Sequence, residues 1–309
     1  MINGILNIYK EKGYTSHDVV ARLRGIVGQK KIGHTGTLDP EAEGVLPVCL
    51  GRATKVCDIL TDKDKTYETV LLLGIVTDTQ DTTGQILENH PVIAATNEIR
   101  KCIMGFVGEY DQIPPMYSAL KVGGRKLYEL AREGKTVERK SRKVIIHDIR
   151  IKEICLPRVC MEVDCSKGTY IRTLCHDIGE RLGCGGCMDQ LLRTRVGQFP
   201  IEKSLRLEQV EQIVKEDRLK EILIPVDSLF SSYRKYRLKP RYDSSGHNGN
   251  PLEKRHFFEG TGGAEETFRA GEMVRIYDSR GNFIGIYQYD SKKDRFRPEK
   301  MFLDPETIQ

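Results

Sequence analysis

The order in which helix-like and strand-like segments follow one another is the feature that most limits the possible folds of this chain. Apolar patterning predicts strands over residues 3–9, 45–50, 66–74, 106–112, 143–154 and 158–166. Apolar stripes at helical spacing predict helices over residues 53–60, 95–104, 126–132, 169–182 and 207–215. A further helix is expected after Ser16, which is a favourable N-cap residue. Because these elements do not alternate as regular βαβ units, the pattern favours an α+β fold over a doubly wound sheet.

A change of composition near residue 230 divides the chain into two unequal parts. The segment that follows is polar and rich in Tyr, Gly and Ser. Further on, two strand-like runs at 273–277 and 283–289 are separated by the sequence DSRG, which predicts a hairpin. We therefore expect a first domain over residues 1–230 and a small β module over residues 231–309.

Length and composition exclude several classes of protein. The chain has 309 residues, of which 39% are hydrophobic and 30% charged, a mixture that excludes wholesale disorder. Its longest apolar run, VLLLGIV at 70–76, is far shorter than the ~20 residues that cross a bilayer. This run predicts a strand buried on both faces. No signal-peptide core is found near residue 1, so we expect a cytoplasmic protein that needs no membrane.

The chain contains nine cysteines, which we expect to be reduced thiols in the cytoplasm. Cys184 and Cys187 have the spacing of half a zinc site, and Cys175 and His176 could complete it. The alternative is a Gly-rich helix end with both thiols in the core. We predict this second arrangement and no metal site.

Basic residues are concentrated in one segment. The formal net charge is +5, yet residues 121–147 contain nine Lys and Arg against three Glu. Such a segment can bind a phosphate backbone, and the alternative is a solvated surface. The residues that we select as candidate backbone contacts are Arg125, Lys126, Arg132, Arg139, Lys140, Arg142 and Lys143.

Residues 33–44, GHTGTLDPEAEG, combine glycines and polar side chains around a single aspartate, Asp39. From spacing alone, Asp39 could be the N-cap of a helix with Pro40 in its first position. Against this, a loop so rich in glycine and polar residues more often faces a ligand than fills a core. The residues alone leave both roles open.

A second group of polar residues, KGTYIR at 167–172, precedes an apolar helical stripe. Thr169 is expected to cap this helix, with Tyr170 and Arg172 in its first turn and off the stripe. A cation at a helix N-terminus is opposed by the helix dipole. Arg172 is therefore either a tolerated exposed residue or the partner of a buried carboxylate.

A third group, KTYE at 65–68, opens a strand, and Tyr67 is either a packing residue or a stacking platform. His34 is ambiguous in the same way. The chain has no HExxH motif, no P-loop and no GxSxG motif. Metal-dependent hydrolysis, nucleotide triphosphate hydrolysis and serine acyl transfer therefore have no support.

These three groups together resemble the site motifs of the TruB-type tRNA pseudouridine synthases. Residues 33–44, followed by VLPVCLG at 45–51, are similar to the catalytic motif of that family. KTYE at 65–68 and GTYIRTL at 168–174 match its other two site motifs in the same order. LLRTR at 191–195 is similar to a later site strand.

The resemblance extends to the rest of the chain. Residues 113–120 and 124–132 are similar to the RNA-gripping insertion of the bacterial family, placed here at about 117–143. The tail resembles a PUA module, with a departure from the family pattern over residues 241–266. The resemblance implies a mixed, largely antiparallel sheet flanked by helices, followed by a small C-terminal β-barrel that binds RNA.

The same resemblance implies an activity. It is the isomerisation of a uridine in the T arm of tRNA, position 55 in standard tRNA numbering, to pseudouridine. Neither a metal nor an organic cofactor is needed. The implied partner is the T-arm stem-loop of tRNA, and we expect a monomer without an obligate protein partner.

Roles for the site residues also follow from the resemblance. Asp39 would be the catalytic carboxylate and Arg172 its charge partner. Asp39 would either add covalently or abstract a sugar proton. Tyr67 would stack on the uracil, and His34 would fill the space that the flipped base leaves. Further substrate contacts are expected from Tyr170, Leu192 and Lys65.

Two rival functions are weighed against this one. The first is an RNA-binding or RNA-folding protein, which the basic segment and the tail would suit. The second is a related guide-RNA-dependent enzyme that works inside a multi-protein complex. The insertion at 117–143 favours the stand-alone enzyme, because it resembles the bacterial form.

Overall fold

The computed structural model of this chain describes residues 1–258 and 267–303. Most strands belong to one large sheet, and a smaller sheet follows residue 230. In chain order, the strands within the described residues are β1 (Gly4–Lys10), β2 (Ile32–His34), β3 (Glu43–Leu50), β4 (Lys65–Leu73), β5 (Ile75–Thr77), β6 (Ile86–Asn89), β7 (Gly108–Gln112), β8 (Lys121–Val122), β9 (Arg125–Lys126), β10 (Arg142–Cys155), β11 (Arg158–Cys165), β12 (Gly186–Val196), β13 (Phe199–Pro200), β14 (Arg234–Arg237), β15 (Met273–Tyr277), β16 (Phe283–Asp290) and β17 (Arg295–Met301).

Helices flank these strands, and two of them end at a glycine in the left-handed conformation, Gly28 and Gly183. The α-helices of the described chain are α1 (Ser16–Val27), α2 (Cys57–Thr61), α3 (Thr96–Met104), α4 (Leu127–Arg132), α5 (Ile171–Leu182), α6 (Leu207–Lys215), α7 (Leu219–Ile222) and α8 (Asp243–His247). Short 3₁₀ helices cover Gly51–Val56, Ile201–Lys203, Val226–Phe230, Pro240–Tyr242 and Lys254–His256.

The large sheet runs in the order β1-β3-β12-β4-β11-β10-β7, with β2 paired to β3 and β13 to β12. Strands β3 and β12 pair in parallel, and the other described neighbours of this sheet are antiparallel. The predicted α+β class with a mixed, largely antiparallel sheet is therefore confirmed. The central strand β12 escaped the pattern analysis, because register shifts between Met188 and Gln190 and between Arg193 and Arg195 break its alternation.

Helices α3 and α5 pack on one part of this sheet. The predicted apolar stripe of α5 is buried, and Ile178 packs in the same cluster as Leu71 of β4 and Ile103 of α3. Gly179 of α5 approaches the backbone of Gly185 so closely that a Cβ there would lie 2.2 Å from the Gly185 carbonyl carbon. This close contact holds α5, including its N-terminal turn, against the start of β12.

The small sheet has the order β14-β15-β16-β17, with β14 parallel to β15 and the other pairs antiparallel. The predicted hairpin between β15 and β16 is confirmed. In the described residues after 230 this sheet is open, so the predicted closed β-barrel is not found. Phe302 and Ile286 pack with Val45 and Cys49 of the first part. Residues 259–266, part of the divergent stretch 241–266, lie outside the described residues, as do residues 304–309.

Two local expectations near strand and helix ends were wrong. Residues 70–76 do not form one strand: β4 ends at Leu73, and Gly74, with a φ of 91°, turns the chain into β5. The helix after residue 15 is present, but its N-cap is Thr15, whose side chain accepts from the backbone N–H of Asp18. Ser16 is the first residue of α1.

The structure also excludes one of the two roles left open for Asp39 and corrects the expectation for Thr169. No helix follows Asp39; the Ala42 N–H donates to the Asp39 carbonyl in a single turn. Thr169 does not cap α5, because its hydroxyl donates to the Ser166 carbonyl and the helix begins at Ile171. Arg172 is nevertheless in the first turn, as predicted.

The nine cysteines are free thiols. Cys184 and Cys187 are buried, and the Cys184 thiol donates to the carbonyl of Gly185. No group of three or more His, Cys, Asp or Glu side chains in residues 1–258 and 267–303 could hold a metal ion. The part of the chain described also contains no helix long and apolar enough to cross a bilayer.

Candidate active site

Asp39, in the loop between β2 and β3, forms an ion pair with Arg172. The Arg172 Nε lies 3.0 Å from Asp39 Oδ2, and its Nη2 donates to Asp39 Oδ1 at 3.2 Å. The Arg172 side chain is 6% exposed, whereas that of Asp39 is 39% exposed. The guanidinium is thus buried behind a carboxylate that is open to a ligand. Of the two roles open for Asp39, the geometry supports the ion-paired carboxylate.

Three contacts hold the backbone on either side of Asp39. The backbone N–H of Leu38 donates to the Ser16 hydroxyl at 2.9 Å. The buried Lys10 ammonium donates to the carbonyls of Pro40 and Ala42, at 3.1 and 2.6 Å. Burial lowers the pKa of Lys10 to about 8. The loop is therefore fixed by contacts to its peptide groups, and the Asp39 carboxylate needs no part in holding it.

Burial raises the pKa of Asp39 above its usual range, and the adjacent Arg172 guanidinium opposes this shift. The charge of Asp81 raises the pKa further, and that of Lys10 lowers it. Arg172 is thus the main group that keeps Asp39 ionised.

Arg172 also has partners that sequence reasoning missed. It donates to the carbonyls of Thr79 and Tyr117, at 3.1 and 2.8 Å, and its Nη1 lies 3.7 Å from Asp81 Oδ2. Asp81 is 13% exposed and also accepts from the Thr83 hydroxyl. In the sequence, the sole signal for this contact was the run DTQDTTG at 78–84, with two acids between turn-forming residues.

Substitution of Asp81 tests whether this second carboxylate orients Arg172. Asp81→Asn keeps the shape but removes one of the two charges that face the guanidinium. We expect a reaction that uses the Asp39 carboxylate to slow by roughly 10–100-fold, because Arg172 then holds Asp39 less firmly. The measurement is the single-turnover rate of that reaction. Asp290→Asn, which removes the carboxylate partner of Arg297 on the small sheet, is the control and is expected to have no effect. Equal rates for the two variants would contradict an orienting role for Asp81.

Tyr67 lies on β4 and is buried in the cluster that also contains Leu38 of the loop. A buried ring suits both predicted roles of Tyr67, a packing residue and a stacking platform. Leu191 of β12 packs against the same cluster. Both Leu191 and Leu192 line a cavity of about 480 Å³ that borders the loop at Glu43. Leu192 is the cross-strand partner of Glu68, the residue after Tyr67, so the pleat directs it to the face of the sheet opposite to Tyr67. The cavity lining includes Glu68 but neither Asp39, Tyr67 nor Arg172. Leu191, which sequence reasoning did not select, therefore replaces Leu192 as the candidate wall of the Asp39 site.

Tyr170 is the residue that precedes α5, and a buried glutamine fixes it. The Gln112 side chain accepts from the Tyr170 N–H at 2.7 Å and donates to the Tyr170 carbonyl at 2.9 Å. Gln112 ends β7 and was not predicted as a site residue. Burial raises the pKa of Tyr170, so its hydroxyl stays protonated at neutral pH.

His34 ends β2, just before the loop that carries Asp39. Its ring packs edge-on against that of His17, with 5.2 Å between the centroids. Burial lowers the pKa of His34, and the nearby charges of His17 and Arg193 add to this. Its Nδ1 is buried and has no hydrogen-bond partner in the described residues. His34 is thus neutral and retains one nitrogen for a partner that the described chain does not supply.

Lys65 is buried at the start of β4, and its ammonium donates to the carbonyls of Thr61 and Lys63, at 2.5 and 2.6 Å. Burial lowers its pKa to about 8. These contacts close the end of α2. They give Lys65 a structural role, and no substrate contact is needed to explain it.

The basic segment lies on β8, β9, α4 and the start of β10. Arg125 pairs with Glu133, Lys126 donates to the Tyr128 hydroxyl, and Arg132 lies over the Tyr128 ring. Arg139 is partly buried and donates to the carbonyl of Pro114. The exposed residues that complete the segment are Lys140, Arg142 and Lys143. Tyr117, at the start of the insertion at 117–143, accepts from Arg172, so this insertion is attached directly to the Asp39 site.

The site therefore consists of an exposed carboxylate held by a buried guanidinium, in a domain built on a mixed and largely antiparallel sheet. The family model of the TruB family pseudouridylate synthase N-terminal domain matches residues 24–171. That of the tRNA pseudouridylate synthase B C-terminal domain matches residues 172–231. The chain belongs to the TruB family.

Individual relatives agree over the full length. The chain is 54% identical to the tRNA pseudouridine synthase B of Lachnoclostridium phytofermentans, over 98% of this chain and 100% of the relative. It is 41% identical to the protein of the same name from Clostridioides difficile (strain 630), again over 98% and 100%.

Solved structures also share the fold. A chain of a Cbf5-Nop10-Gar1 complex matches with a TM-score of 0.71 and 26% identity, over 98% of this chain and 86% of that one. A chain of an H/ACA RNP bound to a substrate RNA containing 2′-deoxyuridine matches with a TM-score of 0.70 and 25% identity, over 97% and 85%.

Proposed function

We propose that this protein converts a uridine in the T arm of tRNA, position 55, to pseudouridine with Asp39 as the catalytic carboxylate. The observation that carries the proposal is the two-contact pairing of Asp39 with the buried Arg172. Membership of the TruB family and relatives named tRNA pseudouridine synthase B support the reaction and the class of RNA.

The reaction exchanges one bond of the nucleotide for another. The bond from the ribose C1′ to N1 of uracil breaks, the uracil turns, and C1′ bonds to C5. N1 gains a proton and C5 loses one, so no electron or atom is supplied from outside. The Asp39 carboxylate acts at the sugar or the base, by covalent addition or by proton abstraction. Arg172 keeps it ionised and directed outward for either route.

The other site residues receive complementary roles. Tyr67 would stack on the extruded uracil, and Leu191 would supply an apolar wall. His34 would fill the gap that the base leaves in the RNA loop, because its neutral ring sits at the edge of the site. Tyr170, fixed by its backbone, would contact the nucleotide through its protonated hydroxyl.

RNA binding would use both parts of the chain. The segment at 117–143 would grip the T arm, since it contacts Arg172 and carries the exposed basic residues. The open sheet of the second domain, residues 231–309, would be a PUA-like module that binds RNA further along the molecule. The fold shared with the Cbf5 chain supports this domain assignment.

Replacement of the exposed basic residues by neutral ones tests whether the segment at 117–143 binds the RNA. The triple variant Lys140→Gln, Arg142→Gln and Lys143→Gln leaves out Arg139, which holds Pro114. We expect weaker tRNA binding and a smaller slope of log affinity against log salt, by about 0.7–0.9 for each phosphate that the variant no longer neutralises. The measurement is a titration of tRNA at several salt concentrations.

The matched control removes the same amount of charge elsewhere. Lys203, Lys215 and Lys220 are exposed lysines on or beside α6 and α7. Their replacement by glutamine is expected to change the slope less. If both triple variants bind tRNA like the wild type, the basic segment is a solvated surface.

The deciding experiment for the function is to map pseudouridine after incubation of the pure protein with a T-arm stem-loop. We expect modification at the position equivalent to uridine 55, without a metal, a cofactor or another protein. Binding without modification would favour the RNA-folding rival. Modification only after addition of a guide RNA and partner proteins would favour the guide-dependent rival.

A further inference from the structure

Arg193 of β12 is a cation for which the proposed function has no role. Its side chain is almost completely buried, with 1% of the residue exposed. No carboxylate in residues 1–258 and 267–303 forms an ion pair with it, in contrast to Arg195 two positions on, which pairs with Asp164. A buried charge without a counter-charge is costly to keep. We therefore expect the Arg193 guanidinium to have a specific role at this position.

The hydrogen bonds of Arg193 go to both ends of the segment that carries Asp39. Its Nε donates to the Val45 carbonyl at 2.7 Å, and its Nη2 lies 3.4 Å from the Gly36 carbonyl. These two carbonyls belong to residues on opposite sides of Asp39 in sequence. One planar group therefore spans the base of the loop, a geometry for which the rigid fork of arginine is suited and the point charge of lysine is not.

The backbone of Arg193 also packs closely against the segment that carries Asp39. Gly44 is its partner in the parallel pairing of β3 and β12. A Cβ on Gly44 would lie 2.2 Å from the Arg193 carbonyl oxygen, and the φ of Gly44 is 107°. The glycine that ends the motif at 33–44 is thus required by the close approach of Arg193.

Arg193 also contacts the aromatic residue of the site. Tyr67 is its cross-strand partner in the pairing of β4 and β12. Burial raises the pKa of the Tyr67 hydroxyl, and the charge of the Arg193 guanidinium opposes this rise, so the two groups lie near each other. The same side chain therefore binds the loop of Asp39 and lies beside the ring that would hold the uracil.

We propose that Arg193 is a positioning residue that sets the separation between the Asp39 loop and the Tyr67 ring. The proposal rests on the proposed function, because that separation must fit one nucleotide. Arg172 controls the ionisation and direction of the carboxylate. Arg193 controls where the loop stands relative to the base, and it acts through Gly36, Val45 and Tyr67 without touching the substrate.

The test compares Arg193→Lys and Arg193→Gln with the matched variants Arg195→Lys and Arg195→Gln on the same strand. Rates of single-turnover pseudouridine formation are measured on a T-arm stem-loop, well below each variant's unfolding midpoint, together with RNA affinity. We expect Arg193→Lys to lose roughly 10–100-fold in rate with unchanged affinity, because the ammonium reaches only one of the two carbonyls. Arg193→Gln is expected to lose more. The Arg195 variants are expected to keep the wild-type rate.

The other outcomes overturn the proposal in distinguishable ways. A lower unfolding midpoint with an unchanged rate would show that Arg193 only stabilises the fold. A loss of affinity with an unchanged rate constant would make it part of RNA binding. If neither Arg193 variant folds, the residue is required by the fold itself. If the wild type forms no pseudouridine while it binds the RNA, the proposed function fails, and this inference fails with it.

Discussion

Asp39→Asn is expected to abolish pseudouridine formation while the protein still folds and binds tRNA. The amide is almost isosteric with the carboxylate, but it has no charge and is a much weaker base and nucleophile. The loop itself should persist, because Ser16 and Lys10 hold it through the peptide groups of Leu38, Pro40 and Ala42. We expect a loss of at least ~10³-fold in single-turnover rate, the scale seen when a group essential to the chemistry is removed.

The control for this variant is Asp164→Asn. Asp164 also pairs with an arginine, Arg195, at 2.8 Å, and its side chain is 34% exposed compared with 39% for Asp39. It differs from Asp39 in having no place in the proposed chemistry. We expect Asp164→Asn to retain the wild-type rate. A rate near wild type for Asp39→Asn would remove Asp39 from its role, and equal losses in both variants would point to damage of the sheet.

Local periodicity explains which parts of the fold could be predicted. Strand β11 alternates buried and less buried residues, and the stripe of α5 repeats at helical spacing, so both were predicted nearly to their ends. The apolar pattern did not indicate strand β12, because two register shifts break its alternation. Only the resemblance of residues 191–195 to a site strand of the family indicated it. The capping pattern of Asp39 and Pro40 allowed a helix after Asp39. The chain forms a turn instead, because the Pro40 and Ala42 carbonyls are taken by Lys10.

Contacts between distant residues explain what could not be predicted. The pairing of Asp39 with Arg172 joins residues 133 apart in sequence, and only the resemblance of both motifs to one family implied it. Gln112 reaches Tyr170 across 58 residues, and Arg193 reaches Val45 across 148. Such pairs leave no periodic pattern in the chain. A buried polar residue is recognised as a positioning group only when its partners are seen.

Removal of Arg172 should have the second large effect, and its dependence on pH identifies the cause. Burial raises the pKa of Asp39, and Arg172 is the main group that opposes the rise. Arg172→Gln takes away that opposition and leaves Asp39 beside the charge of Asp81. The pKa of Asp39 must then rise further, because a partly desolvated carboxylate near a like charge favours its neutral form. The protonated acid is inactive, so the rate at neutral pH should fall by roughly 10²–10⁴-fold.

The sign of the pH dependence separates this mechanism from simple misfolding. In Arg172→Gln, the ionised fraction of Asp39 grows as the pH rises, so the deficit relative to wild type should narrow toward alkaline pH. In Asp39→Asn no group remains to ionise, and the deficit should stay constant. Arg195→Gln, which breaks the matched pair with Asp164, should follow the wild-type profile. A deficit of Arg172→Gln that is the same at every pH would mean that Arg172 places the carboxylate but does not control its protonation.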